Sequence, residues 1–160
     1  MSEQGHLTKL PNIMLYIASD HAGFELKEKI KKFLEERKVQ YQDIGPFQLI
    51  PTDDYPDYAV PLTQAVAREP DYSKGILICR NGVGMSIVAN KFAGIRAALS
   101  WDPRHAATAR VDDNANILCL PADYISEGKA KDIVAAFLDT PFSQDERHRR
   151  RLGKVAKVGG

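Results

Sequence analysis

The sequence predicts one α/β domain in three layers: a mainly parallel five-stranded sheet with helices on both faces. Three observations carry this. Short apolar runs of strand length alternate with segments whose apolar residues recur at helical spacing. The chain has 160 residues, enough for one domain with a sizeable core. No internal repeat, low-complexity linker or second composition regime divides it.

The elements follow in order. Residues 13–18, IMLYIA, are an apolar run fit for a buried strand. In GFELKEKIKKFLEERK, residues Phe24, Leu26, Ile30, Phe33 and Leu34 recur at helical spacing with charge between them. VQYQDIG reads as a second strand closed by Gly45, and the loop PFQLIPTDDYPD leads to a helix near 57–69. KGILIC is a third strand, MSIVANKF a short helix and IRAALS a fourth strand. PRHAATARV is helical, NILCL is a fifth strand and GKAKDIVAAFLD another helix. A very basic helix closes the chain at about 142–157. The domain thus covers 13–160, behind a polar tail, MSEQGHLTKLPN, over 1–12 with no signal-peptide core.

Composition narrows the function. A formal net charge of +1 gives no global field to recruit nucleic acid or an anionic membrane. No apolar segment approaches the roughly 18 residues of a membrane span. Cys79 and Cys119 lack metal-site spacing, and two thiols inside apolar runs fit a reducing cytoplasm.

In a parallel sheet, ligands sit at the carboxyl ends of the strands. Those ends carry Ser19-Asp20-His21, Cys79 with its glycine loop, Ser100-Trp101-Asp102, and Leu120 to Asp123. The stretch GILICRNGVGMSIVANK, residues 75–91, therefore lies where a ligand would lie. A phosphatase reading needs an arginine six positions after the cysteine; Met85 stands there. A dinucleotide fingerprint belongs after the first strand, whereas these glycines follow the third. Proton abstraction next to a carbonyl fits better. Backbone N–H groups where a glycine loop enters a helix can hold an enediolate's negative charge. A cysteine beside that positive end can act as the base. The alternative is a core thiol that ends where a strand ends.

The motifs S-D-H-A-G-F-E-L-K, D-Y-P-D-Y-A, G-I-L-I-C, G-V-G-M-S-I-V-A-N-K, G-I-R-A-A-L, N-A-N-I-L and E-R-H-R-R-R follow in that order. From about residue 12 to 157 the chain resembles the type B ribose-5-phosphate isomerase family, which also includes galactose-6-phosphate isomerase subunits. The resemblance implies a Rossmann-like fold and a homodimer or dimer of dimers with active sites shared between subunits. It implies a small-molecule sugar phosphate as partner and neither metal nor cofactor. It makes Cys79 the proton-abstracting base. The loop from Asn81 through Gly82, Val83, Gly84 and Met85 to Ser86 becomes the anion hole. Asp20 is implied to contact sugar hydroxyls, His21 the phosphate side, and Tyr55 and Asn114 the substrate. Arg147, His148 and Arg151 match a phosphate-binding helix presented to a neighbouring subunit. Their helical spacing agrees, and planar guanidinium groups suit phosphate oxygens; a solvated basic tail is the alternative. His6 and His105 are left as unassigned surface histidines.

The chain departs from the family pattern in three places, at four positions. Asp112 replaces a histidine that helps open the furanose ring. Arg80 and Asn81 follow the cysteine where a small residue and Ser or Thr are usual. Asp123 stands where an arginine helps bind phosphate. Ring opening needs a proton shuttle, and a carboxylate is a base but a poor acid at neutral pH. With Cys79, Asn81 and Asp112 form the expected catalytic set. The Arg80 and Asp123 departures are expected to compensate each other, either by pairing or by Arg80 reaching the sugar pocket; Asp123 pointing to solvent is the alternative. The expected activity is aldose–ketose isomerisation of a phosphorylated sugar, by default ribose 5-phosphate to ribulose 5-phosphate. The alternatives are the same chemistry on a tetrose or hexose phosphate or another sugar, and a non-catalytic sugar-phosphate-binding protein.

Overall fold

A computed structural model describes residues 14–159. The polar tail over 1–12, and His6 with it, lie outside the described residues. The elements are β1 (Met14–Ser19), α1 (Phe24–Glu36), β2 (Gln42–Gly45), α2 (Pro56–Arg68), β3 (Ser73–Cys79) and α3 (Val83–Ala89). Then follow β4 (Ala97–Leu99), α4 (Pro103–Asp113), β5 (Ile117–Pro121), α5 (Glu127–Asp139) and α6 (Glu146–Val155). The strands form one sheet in the order β2-β1-β3-β5-β4, and every pairing in it is parallel.

Alternation along the strands builds two cores. In β3, Ile76 and Ile78 face Leu26, Ile30, Ile133 and Phe137 of α1 and α5. Leu77 and Cys79 face the opposite layer, with Leu62 and Val66 of α2 and Met85 of α3. β5 repeats the pattern, with Leu118 and Leu120 on the first face and Ile117 and Cys119 on the second. Both faces are buried, so the central strands read as continuous apolar runs. Cys119 is fully buried, as expected of a core residue.

The chain steps from β1 outward to β2, then back over β1 to β3. The direction of winding reverses between β1 and β3, and such a switch point opens a crevice beyond the carboxyl ends of the two strands. Asp20, His21 and Cys79 stand at those two ends.

Two boundaries differ from expectation for local reasons. α3 begins at Val83, two residues early, because Gly82 takes φ +74° and turns the chain straight into the helix. α6 begins only at Glu146. Before it, Gln144 adopts φ +63° and the Ser143 N–H donates to the Val111 carbonyl at 3.2 Å, which ties the segment to α4.

Candidate active site

The crevice is lined first by the end of β1. The Asp20 N–H donates to the Ile78 carbonyl at 3.2 Å, which stitches the β1 end to β3. Its carboxylate Oδ1 accepts the Gly23 N–H at 3.0 Å. Gly23 lies so close to the Ile78 carbonyl that a Cβ there would collide with it. Burial pushes the Asp20 carboxyl up, against the opposing pull of the Gly23 N–H and the His21 charge.

His21 is held by a residue the sequence did not single out. Asp53, in the β2–α2 loop, accepts both the His21 N–H at 2.9 Å and the ring Nδ1–H at 2.7 Å, through the same oxygen. This hydrogen bond raises the His21 pKa above its ordinary value. The loop is anchored at its start. Lys27, fully buried, donates from Nζ to the Pro46 carbonyl at 2.6 Å and to Asp43 at 2.8 Å, and Asp43 accepts the Gly45 N–H at 2.8 Å.

Cys79 ends β3, 4% exposed. The Gly82 N–H points at its sulfur, with N···Sγ 3.2 Å, the arrangement an anionic thiolate accepts. The Cys79 thiol lies 4.0 Å from Asn81 Oδ1, which also accepts the Val83 N–H at 3.0 Å. Gly84 and Met85 occupy the first turn of α3, where backbone N–H groups have no intrahelical acceptor. The Met85 side chain is core, and Ser86 Oγ donates to the Val83 carbonyl at 2.8 Å. Tyr55 lies over this loop: a Cβ on Gly84 would stand 2.6 Å from the Tyr55 ring.

Around the rim, Arg80 Nη1 donates to Asp123 Oδ2 at 2.8 Å. At the end of β4, the Trp101 and His105 rings stack at 4.4 Å, and His105 Nδ1 lies 3.0 Å from Ser100 Oγ. His105 is therefore half-buried and held at the rim, not a free surface histidine.

The remaining expected site residues lie elsewhere. Asp112 and Asn114 precede the start of β5 and α6 packs on α4, whereas Cys79 pairs with Pro121 at the end of β5. The two groups sit at opposite ends of the sheet, separated by about 13 Å of strand. There, Arg110 Nη1 donates to Asn114 Oδ1 at 2.9 Å. His148 is 5% exposed, with Nδ1 2.7 Å from Ser143 Oγ and Nε2 3.6 Å from Asp112 Oδ1. It is turned into its own chain, so the face expected to hold Arg147, His148 and Arg151 is split; both arginines are exposed.

Known proteins resemble this arrangement over nearly the whole chain. The model of a family described as ribose/galactose isomerase matches residues 15–155. A probable ribose-5-phosphate isomerase B of Mycoplasma pneumoniae is 48% identical over 144 residues, covering 90% of this chain and 93% of the relative. The crystal structure of ribose-5-phosphate isomerase B from Mycoplasma genitalium with bound ribulose-5-phosphate superposes with TM-score 0.87 at 40% identity, covering 90% of this chain and 94% of the other. The Thermotoga maritima ribose 5-phosphate isomerase structure superposes with TM-score 0.85 at 45% identity, covering 91% and 99%.

Proposed function

The chain belongs to the ribose/galactose isomerase family, and on that premise we propose that it interconverts ribose 5-phosphate and ribulose 5-phosphate. It is an aldose–ketose isomerase. The observation that carries the mechanism is the Cys79 sulfur at the mouth of the β1/β3 crevice, with the Gly82 N–H aimed at it from 3.2 Å.

In this mechanism the Cys79 thiolate takes the C2 proton of the open-chain aldose. The C2–H electron pair becomes the C1=C2 double bond, and O1 takes the negative charge. The Gly84 and Met85 N–H groups and the Asn81 side chain hold that charge. The proton returns from the Cys79 thiol to C1 and the O2 proton passes to O1, which leaves a ketone at C2, a hydroxyl at C1 and the thiolate restored. C1 gains the electron pair that C2 loses, so the chemistry consumes no hydride carrier. Asp20 accepts from a sugar hydroxyl, Tyr55 covers the sugar, and His21 faces the phosphate.

A second copy of the chain completes the site in this reading. Asp112, Asn114, Arg147 and Arg151 lie at the far end of the sheet from Cys79, so a homodimer, or a dimer of such dimers, brings them to a neighbour's crevice. The reduced cysteines and the metabolic relatives support a cytoplasmic location; among the described residues no helix is long and apolar enough to cross a membrane.

Asp112 favours one second reading. Its carboxylate faces His148 where the family pattern has a ring-opening histidine, so an aldose phosphate that is already open-chain, such as a tetrose 4-phosphate, would need less of the site. Purified protein in deuterated water, offered C4 to C6 aldose phosphates and free sugars, separates the readings. Turnover with deuterium at the exchanged carbon identifies the substrate. Binding without exchange would overturn the isomerase.

A further inference from the structure

We propose that Asp53 is the positioning residue of His21: it fixes the ring with Nδ1–H turned inward, so that the protonated imidazole presents Nε2–H to the substrate as a hydrogen-bond donor. The proposal rests on the reading of the β1/β3 crevice as the sugar-phosphate site.

The geometry is unusually restrictive. One carboxylate oxygen, Asp53 Oδ1, receives the backbone N–H and the ring Nδ1 of the same residue, at 2.9 and 2.7 Å. A carboxylate only accepts, so Nδ1 carries the hydrogen and the tautomer is set. Two bonds to one acceptor fix both the backbone and the ring plane of His21. The Asp53 side chain is 5% exposed while that of His21 is 33% exposed, so the pair is buried at its carboxylate end and open at its imidazole end. Asp53 Oδ2 is buried with no hydrogen-bond partner among the described residues. An orphaned buried carboxylate oxygen is costly. A cationic ring beside it offsets that cost, so the carboxylate and a protonated His21 stabilise each other.

The groups facing His21 agree. Asp20 comes from the end of β1, Asp53 from the β2–α2 loop and Arg80 from the end of β3, and Tyr58 of α2 lies close enough to Asp53 for that charge to act on its hydroxyl. Arg80 opposes the imidazolium but is itself paired with Asp123. Burial and the Asp53 charge push the Tyr58 hydroxyl up, so it stays neutral. The balance around the ring is two carboxylates against one partnered guanidinium. The loop that carries Asp53 is held by the buried Lys27, whose ammonium takes the Pro46 carbonyl. Asp53 thus reaches His21 from a fixed support.

The experiment reads the ring directly. In the full-length protein, long-range proton–nitrogen correlation spectra of His21 should show the Nδ1–H tautomer and a titration midpoint above that of an ordinary histidine. Asp53→Asn keeps an acceptor but removes the charge. It should lower the midpoint and raise KM for ribose 5-phosphate roughly tenfold at about pH 7.5, with kcat changed less, as expected for one charge-assisted hydrogen bond to a bound anion. The KM difference should close toward about pH 5.5, where His21 is protonated in both proteins. Asp53→Glu should restore part of the midpoint shift. An Nε2–H tautomer, or an unchanged midpoint in Asp53→Asn, overturns the proposal. So does a loss of thermal stability with no change in the KM profile, the result of a merely structural role. The tautomer and titration measurements need no turnover, so failure of the isomerase reading would appear in the substrate panel alone.

Discussion

Arg80 and Asp123 meet twice. Their side chains pair at 2.8 Å, and the Asp123 N–H donates to the Arg80 carbonyl at 3.0 Å. The register explains it: Cys79 lies opposite Pro121 on adjacent parallel strands, so the residues that follow leave the sheet side by side. Both side chains are exposed, at 66% and 44%, so the pair contributes less than about 1 kcal/mol to stability. Its expected effect is on substrate binding. Asp123→Ala should leave Arg80 uncompensated and lower KM for the sugar phosphate a few-fold at low salt, with the gain lost at about 0.5 M salt. Arg80→Ala should raise KM. A double-mutant cycle that is additive in affinity would show that Asp123 does not act through Arg80.

Cys79→Ala should slow isomerisation and C2 proton exchange by roughly a thousandfold or more, with sugar-phosphate affinity kept within about threefold, because the thiol acts in the transition state and not in phosphate capture. Retained exchange in deuterated water contradicts the assignment. Alkylation should mark Cys79 before Cys119 and be blocked by substrate. Burial, and then the Cys79 charge, push the Cys119 thiol up, which makes it unreactive.

Gly84→Ala would place a methyl group 2.6–2.9 Å from three atoms of the Tyr55 ring. The ring, 37% exposed, can swing outward, so the fold should survive with its melting temperature nearly unchanged. Activity should fall about tenfold, the scale of a misplaced substrate contact. Adding Tyr55→Ala should make the alanine at 84 nearly silent. If the single variant is as active as the parent, Tyr55 does not cover the substrate.

The buried Lys27–Asp43 pair should set the acid limb of stability. Burial opposes ionisation of Asp43, but hydrogen bonds from Lys27, Lys31 and the Gly45 N–H outweigh it and hold the carboxyl below its usual range. A depressed carboxyl stabilises the fold above its unfolded pKa of about 4 and loses that stabilisation as pH falls through the folded value. Urea midpoints should therefore drop below about pH 4, and Asp43→Asn should flatten that drop. Lys27→Met should cost about 3 kcal/mol, the low end for breaking a buried pair, because Lys31 still lies 2.9 Å from Asp43.

Sharing of the site can be read from complementation. Cys79→Ala chains and Arg151→Ala chains, each impaired alone, should recover activity when mixed under conditions that exchange subunits, since some mixed dimers then hold one wholly native crevice. No recovery after verified exchange would mean that each chain supplies its own arginine.

The sequence disclosed most of what depends on periodicity. Five strands and their helices lie where apolar spacing put them. The Arg80–Asp123 pair was one of the arrangements expected, but the strand order that sets β5 beside β3 and so decides for it was not legible in the sequence, because periodicity says nothing of which strands are neighbours. Asp53 was not readable. It lies 32 residues from His21, in a loop without periodicity, and nothing in P-T-D-D-Y tells which aspartate turns inward. His148 was misplaced for the complementary reason. Helical spacing groups it with Arg147 and Arg151, but packing of α6 on α4 draws it toward Ser143 and Asp112. Strand ends follow from local pattern, whereas side-chain direction at a helix–helix contact follows from the partner.

The order β2-β1-β3-β5-β4 also governs how the protein emerges from the ribosome. β4 is synthesised before β5 yet pairs with nothing else, and one edge of β3 stays bare until residues 117–121 insert between them. A nascent chain that stops after Leu99 therefore carries two unpaired edges, the kind of surface on which incomplete chains associate wrongly. The strand that resolves both is buried at every position. Its arrival completes the sheet, and Asp123 meets Arg80 directly after it, so no fragment that stops short of residue 123 can carry the finished rim of the crevice.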